Sequence, residues 1–240
     1  MKVLAMTAVV FLLLTVTALV PAPAAEAPAL PASLELRYSL QYGSTTAGRV
    51  VKTLKREADG SYRLDSRSTP LGMAKVFTSV EWLEEGRFEV LRGKLRPLSF
   101  LEYRVGADKP HRHSARFDWK AKQIIYENWP KTALPPGTQD QGSILFALML
   151  NPPAPGEKQT IHVSSGKKLR VYRYGHAGTD TLKTALGTLK VTIIERLTPD
   201  KSEENLRVWL ATERGNLPVR ITTRQRGEDS ILELESARGL

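Results

Sequence analysis

Apolar and polar residues alternate along most of this chain, and this alternation constrains the fold more than any other feature. Leu34, Leu36, Tyr38, Leu40 and Tyr42 fall on one side of the segment 33–42, with polar residues on the other. A period of two predicts a half-buried antiparallel strand. Comparable segments between glycine- and proline-containing turns give about a dozen strands, and so large a sheet must curl or close. The sequence predicts a mostly β fold, a curved antiparallel sheet forming a half-barrel or open barrel.

The third predicted strand has an unusual inward face. Tyr62 and Leu64 are followed there by Ser66 and Ser68, so the face ends small and polar and leaves space on the concave side. A further strand is predicted over residues 76–83, before the turn at Gly86.

The alternation stops at residues 134–143, and residues 144–150 are then apolar on every side until Asn151 and two prolines. A fully buried strand would also fit, but helix formers with little β-branching favour one short buried helix. Thr138 or Asp140 is the expected N-cap, and Ser143 is expected to satisfy a free backbone N–H of the first turn. A helix that is apolar all round must be surrounded by protein. We therefore expect it to plug the concave side of the sheet.

The N-terminus predicts export. Lys2 precedes an apolar run over residues 3–20, and Ala22-Pro23-Ala24 and Ala25-Glu26-Ala27 both fit a small-x-small cleavage site. The predicted division is a signal peptide over residues 1–27 and a single β-rich periplasmic domain over residues 28–240. An uncleaved membrane anchor is the alternative. The sequence has no cysteine, so disulfides, thiol chemistry and a lipoprotein anchor are not expected.

The charge balance favours anionic partners. The formal net charge is +10, and the segment 28–240 keeps it because Lys2 and Glu26 cancel. Predicted export argues against nucleic acid and leaves an anionic membrane surface or an envelope protein as candidate partners. A solvated basic surface explains the scattered arginines equally well. Oligomeric state has no sequence signal.

No residue pattern predicts catalysis. His111 and His113 would share one face of a strand, as a metal pair requires, but they follow a turn and are interpreted as exposed polar residues. The sequence lacks a Gly-x-Ser-x-Gly elbow and nucleotide-binding glycine motifs. Carboxylates such as Asp118, Glu127 and Asp140 cannot be paired without a fold. We predict no catalytic residue, no metal site and no cofactor.

The aromatic and helical residues are candidates for a binding cavity. Tryptophans on strands are usually core, but Trp82 and Trp209 could line an apolar cavity. The predicted cavity lining is Ile144, Phe146, Leu148, Trp82 and Trp209.

Three stretches carry a family resemblance: residues 38–48, residues 140–143 at the start of the apolar helix, and residues 209–220, with a Leu186-Gly187 hairpin between the last two. Together they resemble the uncharacterised family called domain of unknown function 3108. The resemblance implies a periplasmic β-rich protein without an established reaction, in which the motif residues are structural. Those residues are Gly48, Asp140, Ser143, Gly187, Trp209 and Pro218.

Residues 209–220 are also similar to periplasmic lipoprotein carriers and receptors, which are curved sheets with a helix-lined hydrophobic cavity; this likeness is an analogy. Three hypotheses follow. The first is a non-enzymatic periplasmic protein that binds a lipid-like or apolar ligand. The second is a structural or interaction protein of the envelope with a solid core. The third is an envelope hydrolase, which requires two carboxylates facing each other across a groove.

Overall fold

A computed structural model describes residues 29–197, 205–225 and 228–240. The predicted signal peptide, and the predicted turns at Pro199-Asp200 and Gly227, lie outside the described residues. Within these ranges, no helix is both long enough and apolar enough to cross a membrane.

The described residues form fifteen strands and two short α-helices. The strands are β1 (Ser33–Tyr42), β2 (Thr45–Arg56), β3 (Tyr62–Pro70), β4 (Glu81–Leu91), β5 (Lys94–Val105), β6 (Arg112–Asp118), β7 (Gln123–Tyr126), β8 (Thr132–Ala133), β9 (Gln139–Asp140), β10 (Lys158–Ser164), β11 (Leu169–Thr184), β12 (Gly187–Leu197), β13 (Leu206–Ala211), β14 (Leu217–Gln225) and β15 (Glu228–Arg238). The helices are α1 (Ala74–Phe77) and α2 (Ile144–Leu150), and a 3-10 turn covers Thr212–Arg214.

All the strands belong to one sheet, in the order β8-β7-β6-β5-β4-β3-β2-β1-β15-β14-β13-β12-β11-β10-β9. Neighbours are antiparallel except β9 and β10, which are parallel. The first and last strands pair at the centre, and the sheet ends at β8 and β9. The large, open, barrel-like sheet predicted from the alternation is therefore confirmed.

The two arms of the sheet curl until they touch. Gln139 of β9 donates a side-chain hydrogen bond to the Leu95 carbonyl of β5 (3.0 Å). The Ser164 hydroxyl, at the end of β10, lies 3.4 Å from the Tyr126 hydroxyl of β7. In the next turn, a Cβ at Gly166 would lie 3.0 Å from backbone atoms of His113. We call this contact between β10 and its following turn on one side and β5–β7 on the other the seam; side chains and close packing, not a strand ladder, hold it together.

The strand predicted over residues 76–83 is wrong in its first half. Residues 74–77 form α1, and β4 runs from Glu81 to Leu91. The turn predicted at Gly86 is therefore also wrong, because Gly86 pairs with Leu64 and Phe100 in the middle of β4. Val76 and Phe77 are 73% and 82% exposed, so no neighbouring strand covers the β-branched and aromatic residues that suggested a strand. Local turn hydrogen bonds, such as Ala74 N–H to the Leu71 carbonyl, stabilise the helical turn instead.

Helix α2 forms where the all-round apolar segment predicts it, but its cap differs from the prediction. The N-cap is Ser143, not Thr138 or Asp140. The Ser143 hydroxyl does not cap the first helical turn; it accepts a hydrogen bond from the Asp140 backbone N–H (2.9 Å). The Asp140 carboxylate accepts from the N–H groups of Gly142 and Ser143, both at 2.8 Å. The loop before the helix is thus satisfied internally.

Three apolar clusters fill the concave side around α2. Phe146 and Met149 pack into the largest cluster, with β1–β5, β12 and β14. Leu145 and Leu148 pack into a second cluster with β11–β14. A third cluster lies between β5, β6 and β7. The helix therefore packs on both arms and fills the deep part of the barrel interior.

Candidate functional site

A row of polar residues crosses the inner face of five neighbouring strands. Residues directly opposite on paired strands point to the same face, and Leu36, which is fully buried, identifies this face as the inner one. The row starts opposite Leu36, and each of its residues lies opposite the next one on the adjacent strand. In order from β2 to β6, these residues are Lys52, Ser66, Glu84, Glu102 and His113. The small inward residue predicted at Ser66 therefore stands in a polar row above the apolar core.

This row forms part of the wall of a cleft of about 680 Å³, within the usual range of ligand pockets. Lining residues come from β4–β6 on one side and β10–β15 on the other, with Ile144 at the start of α2 between them. The apolar part of the lining is Ile144, Val163, Leu206, Ile221 and Leu232. The cleft is therefore the part of the barrel interior that α2 and the core leave open.

The two sides of the cleft differ in polarity. On one side, β13, β14 and β15 contribute Leu206, Ile221 and Leu232, together with Thr223 and Arg224 at the end of β14. On the other side, β4, β5, the turn after β10, β11 and β12 contribute mostly cationic and aromatic residues: Trp82, Arg104, Lys167, Lys168, Arg170, Tyr172 and Arg196. An apolar wall facing a basic wall is a surface for an amphipathic molecule.

Two carboxylates line the cleft, and both already have partners. Glu84 pairs with Lys52, whose Nζ lies 3.3 Å from a carboxylate oxygen and also donates to the Ser66 hydroxyl (3.0 Å). Glu102 lies 2.7 Å from Nε2 of His111. The two glutamates are opposite each other on adjacent strands of one wall. This arrangement is not the pair across a groove that the hydrolase hypothesis requires.

The interpretation of His111 and His113 as exposed residues at a loop end is corrected. Both are half-buried in the cleft wall, because His113 lies in β6 and the chain enters that strand alongside β5. Their rings are 4.4 Å apart, and ligand atoms of Glu102, His111 and His113 lie within 4.8 Å of one another. These are donor types that zinc accepts. Burial, His111 and Lys167 lower the pKa of His113 and so favour the neutral imidazole.

The predicted cavity residues separate into two groups. Ile144 and Trp82 line the cleft. Phe146 and Leu148 are each 1% exposed and lie in the core beneath it, because they occupy the sides of α2 that face the two arms. Trp209 is half-buried against the largest core cluster, with the Arg220 guanidinium 5.8 Å from its ring centre, and does not line this cleft.

The first and last motif stretches meet in the structure, and the last also contacts α2, the helix that follows the second stretch. The buried Tyr38 hydroxyl donates to the Pro218 carbonyl (2.8 Å), and Asn216 Nδ2 donates to the Met149 carbonyl at the end of α2 (3.1 Å). Gly48 lies so close to β3 that a Cβ would be 2.9 Å from the Thr69 carbonyl oxygen. Gly187 has a φ of +104° in its hairpin. Such contacts give these positions structural roles.

Ser143 and Asp140 also have structural environments. Ser143 is 1% exposed, and its hydroxyl donates to the Gln139 side-chain oxygen (3.1 Å). Burial raises the pKa of Asp140 to about 7, against the lowering effect of the N–H groups of Ser143 and Gly142. Neither side chain lines the cleft.

Sequence reasoning missed Arg104 and Arg196 as members of the site. Each looks like one more outward arginine until the strand pairing is known. The pairing of Trp82 with Arg104 and of Tyr174 with Arg196 places both arginines beside residues of the cleft lining. The sequence did contain a signal: each arginine occupies a position that the period-two alternation of its strand assigns to the inner face.

The comparisons with known proteins agree with this architecture. Residues 37–226 match the model of a protein family of unknown function, DUF3108. The chain belongs to this family. The fold is also similar to the crystal structure of a beta-barrel-like protein of domain of unknown function DUF1849 from Brucella abortus. That match has a TM-score of 0.53 and 10% sequence identity, and covers 86% of this chain and 97% of the other. Among curated proteins, none matches the chain.

Proposed function

We propose that this DUF3108 protein is a non-enzymatic binding module that holds a lipid-like ligand in the cleft. The observation that carries the proposal is the apolar wall of Ile144, Leu206, Ile221 and Leu232 inside a cavity of about 680 Å³. Burying a hydrocarbon chain against such a wall releases about 25 cal/mol for each square ångström removed from water. The buried core beneath the cleft supplies a rigid floor.

Native mass spectrometry of the protein purified from its own cells tests the proposal, followed by organic extraction of any bound molecule. We expect a bound species with an alkyl chain. A binding assay with N-phenyl-1-naphthylamine, a neutral apolar fluorophore, gives a second readout. If the protein neither carries a ligand nor binds the fluorophore, lipid binding is ruled out.

Ile144→Lys is the informative variant, because it places a charge at the floor of the cleft. We expect it to abolish binding of the fluorophore. Val171→Lys is the matched control: Val171 is 58% exposed and lies on β11, outside the cleft lining. Equal binding by both variants would place the ligand elsewhere.

We also propose that the protein acts in the periplasm after cleavage of residues 1–27. The support is the order of cation, apolar run and small residues at the N-terminus, and the absence of cysteine from the sequence. Mass spectrometry of the mature chain is expected to find its first residue near position 25 or 28. An intact Met1 would contradict cleavage.

One observation favours the second hypothesis, an interaction protein of the envelope. Met73, Val76 and Phe77, at and beside α1, are 64–82% exposed and form an apolar projection next to β2. Such patches often mark contact sites. A photo-crosslinking residue at position 77 in living cells distinguishes the roles: one dominant protein adduct supports an interaction protein, and its absence favours the binding module alone.

A further inference from the structure

Arg104 is fixed inside the cleft in an unusual way. Its guanidinium lies 3.7 Å from the centre of the Trp82 ring, and its backbone N–H donates to the His111 carbonyl (3.1 Å). Its Nε is buried and has no hydrogen-bond partner among the described residues. An arginine held against an aromatic face keeps the in-plane edge of its guanidinium available for an acceptor.

Arg196 has a similar support on the other side of the seam. Its guanidinium lies 4.6 Å from the centre of the Tyr172 ring, and the Tyr172 hydroxyl accepts a hydrogen bond from Arg170 (3.3 Å). Arg196 is half-buried and lines the same cleft as Arg104. The cleft therefore presents two stacked arginines, one on β5 and one on β12.

Among the residues that the structure describes, the cleft lining around them is mostly basic. Lys167, Lys168 and Arg170 line the same side of the cleft. The acidic residues of the lining, Glu84 and Glu102, are engaged by Lys52 and His111. Arg104, Lys167 and Arg196 are half-buried, and partly desolvated cations stabilise an anion more than exposed ones do, because the surroundings screen the charge less.

We propose that Arg104 and Arg196 bind the acidic head, a phosphate or a carboxylate, of an amphiphile whose chain lies on the apolar wall. The arginine fork matches either group in a bidentate geometry. This inference rests on the proposed function and adds the class of ligand to it. The arginines select a ligand with a charged head group, and the apolar wall accepts its hydrocarbon chain.

The test uses four probes and the full mature protein. Palmitate and 16-carbon lysophosphatidylglycerol carry an acidic head and a chain, monopalmitoylglycerol carries the same chain without charge, and glycerol 3-phosphate carries a phosphate without a chain. Tryptophan emission reports binding, because a head group at Arg104 changes the environment of the stacked Trp82 ring. Trp82→Phe identifies the part of the signal that comes from this ring among the four tryptophans. We expect the two acidic amphiphiles to bind at least tenfold more tightly than monopalmitoylglycerol, and glycerol 3-phosphate to bind far more weakly than either.

The variants Arg104→Gln and Arg196→Gln are expected to weaken binding of the acidic amphiphiles on the order of tenfold each and to leave monopalmitoylglycerol unchanged. Arg104→Lys keeps the charge and loses the fork, so its loss should be intermediate. Arg173→Gln is the control: it removes the same charge from an exposed position on β11 outside the cleft lining. The urea midpoint of each variant establishes that it folds.

The outcomes separate the two ideas. Equal affinity of the uncharged and acidic amphiphiles, or equal loss in Arg173→Gln and Arg104→Gln, overturns the arginine site while the lipid-binding function stands. Glycerol 3-phosphate binding as tightly as lysophosphatidylglycerol overturns the lipid-binding function and leaves an anion site. Binding of none of the four probes overturns both.

Discussion

Asp140 is the residue whose environment departs furthest from that of an ordinary surface carboxylate. Its side chain is 1% exposed and accepts two backbone N–H groups just before α2. Burial penalises the charged form and raises the pKa from 3.8 to about 7. The folded chain therefore holds a proton that the unfolded chain releases over the range between those values.

This difference predicts how stability depends on pH. Between about pH 4 and 7 the folded state binds more protons at Asp140, so this group's contribution to the free energy of unfolding falls as pH rises. The slope is at most about 1.4 kcal/mol per pH unit. Asp140→Asn keeps an oxygen acceptor for both N–H groups and should remove the decline in urea unfolding. Asp108→Asn, at an exposed turn, should retain it; a wild-type profile that matches Asp140→Asn would contradict the raised pKa.

Tyr38 gives a second prediction at this scale. Its hydroxyl is fully buried and donates to the Pro218 carbonyl at 2.8 Å, joining the first and last motif stretches. Tyr38→Phe removes that donor and should lower the free energy of unfolding by about 1–2 kcal/mol. Tyr42→Phe, on the same strand but 49% exposed, should change it by less than about 0.5 kcal/mol. Equal effects in chemical denaturation would mean that the hydrogen bond does not stabilise the fold.

At the scale of elements, local sequence patterns predicted the strands and helices whose signals lie within a single element. Period-two alternation located most strands, and the all-round apolar segment located α2, because each signal is contained within one element. The α1 turn was missed because Val76 and Phe77 resemble strand residues, and only the absence of a covering neighbour distinguishes them. The basic side of the cleft was missed because Arg104 and Trp82 become neighbours only through the register of β4 and β5.

The two sides of helix α2 are expected to contribute unequally to the stability of the fold. Phe146 is 1% exposed, with its ring 6.3 Å from that of Phe88, so Phe146→Ala should cost about 3–5 kcal/mol through lost contacts and a cavity. Ile144 lines the cleft, so Ile144→Ala should cost clearly less. Urea denaturation measures both, and a larger cost at Ile144 would contradict the assignment of these two sides.

At the scale of the whole molecule, the curvature of the sheet could be predicted from the number of strands. The contact between its two arms at the seam could not. Strand number requires a large sheet to curl. The passage of the chain from one end of the sheet, β8, to the other, β9, depends on a two-residue strand without periodicity. The seam likewise depends on single contacts, such as Gly166 against His113. These long-range features determine where the cleft lies.

The pairing of the first and last strands leads to a prediction about connectivity. Glu35 is opposite Arg238, so the ends of the described chain meet at the centre of the sheet. A circular permutant that joins Leu240 to Ala29 through about six glycine and serine residues and opens between Lys120 and Ala121, both exposed, should keep every strand pair. We expect it to unfold cooperatively in urea, because tertiary contacts and not chain order hold the sheet together.

A second permutant tests the same point from the other side. Opening between Leu36 and Arg37 cuts β1, which pairs with both β2 and β15 and carries the buried Leu34, Leu36 and Tyr38. That cut separates core residues of one strand, so the permutant should lose cooperative unfolding and the near-ultraviolet circular dichroism of a packed core. If both permutants fold equally well, the central pairing of β1 with β15 is not what holds the two arms together. If neither folds, the sheet depends on the native order of the chain, which contradicts the prediction.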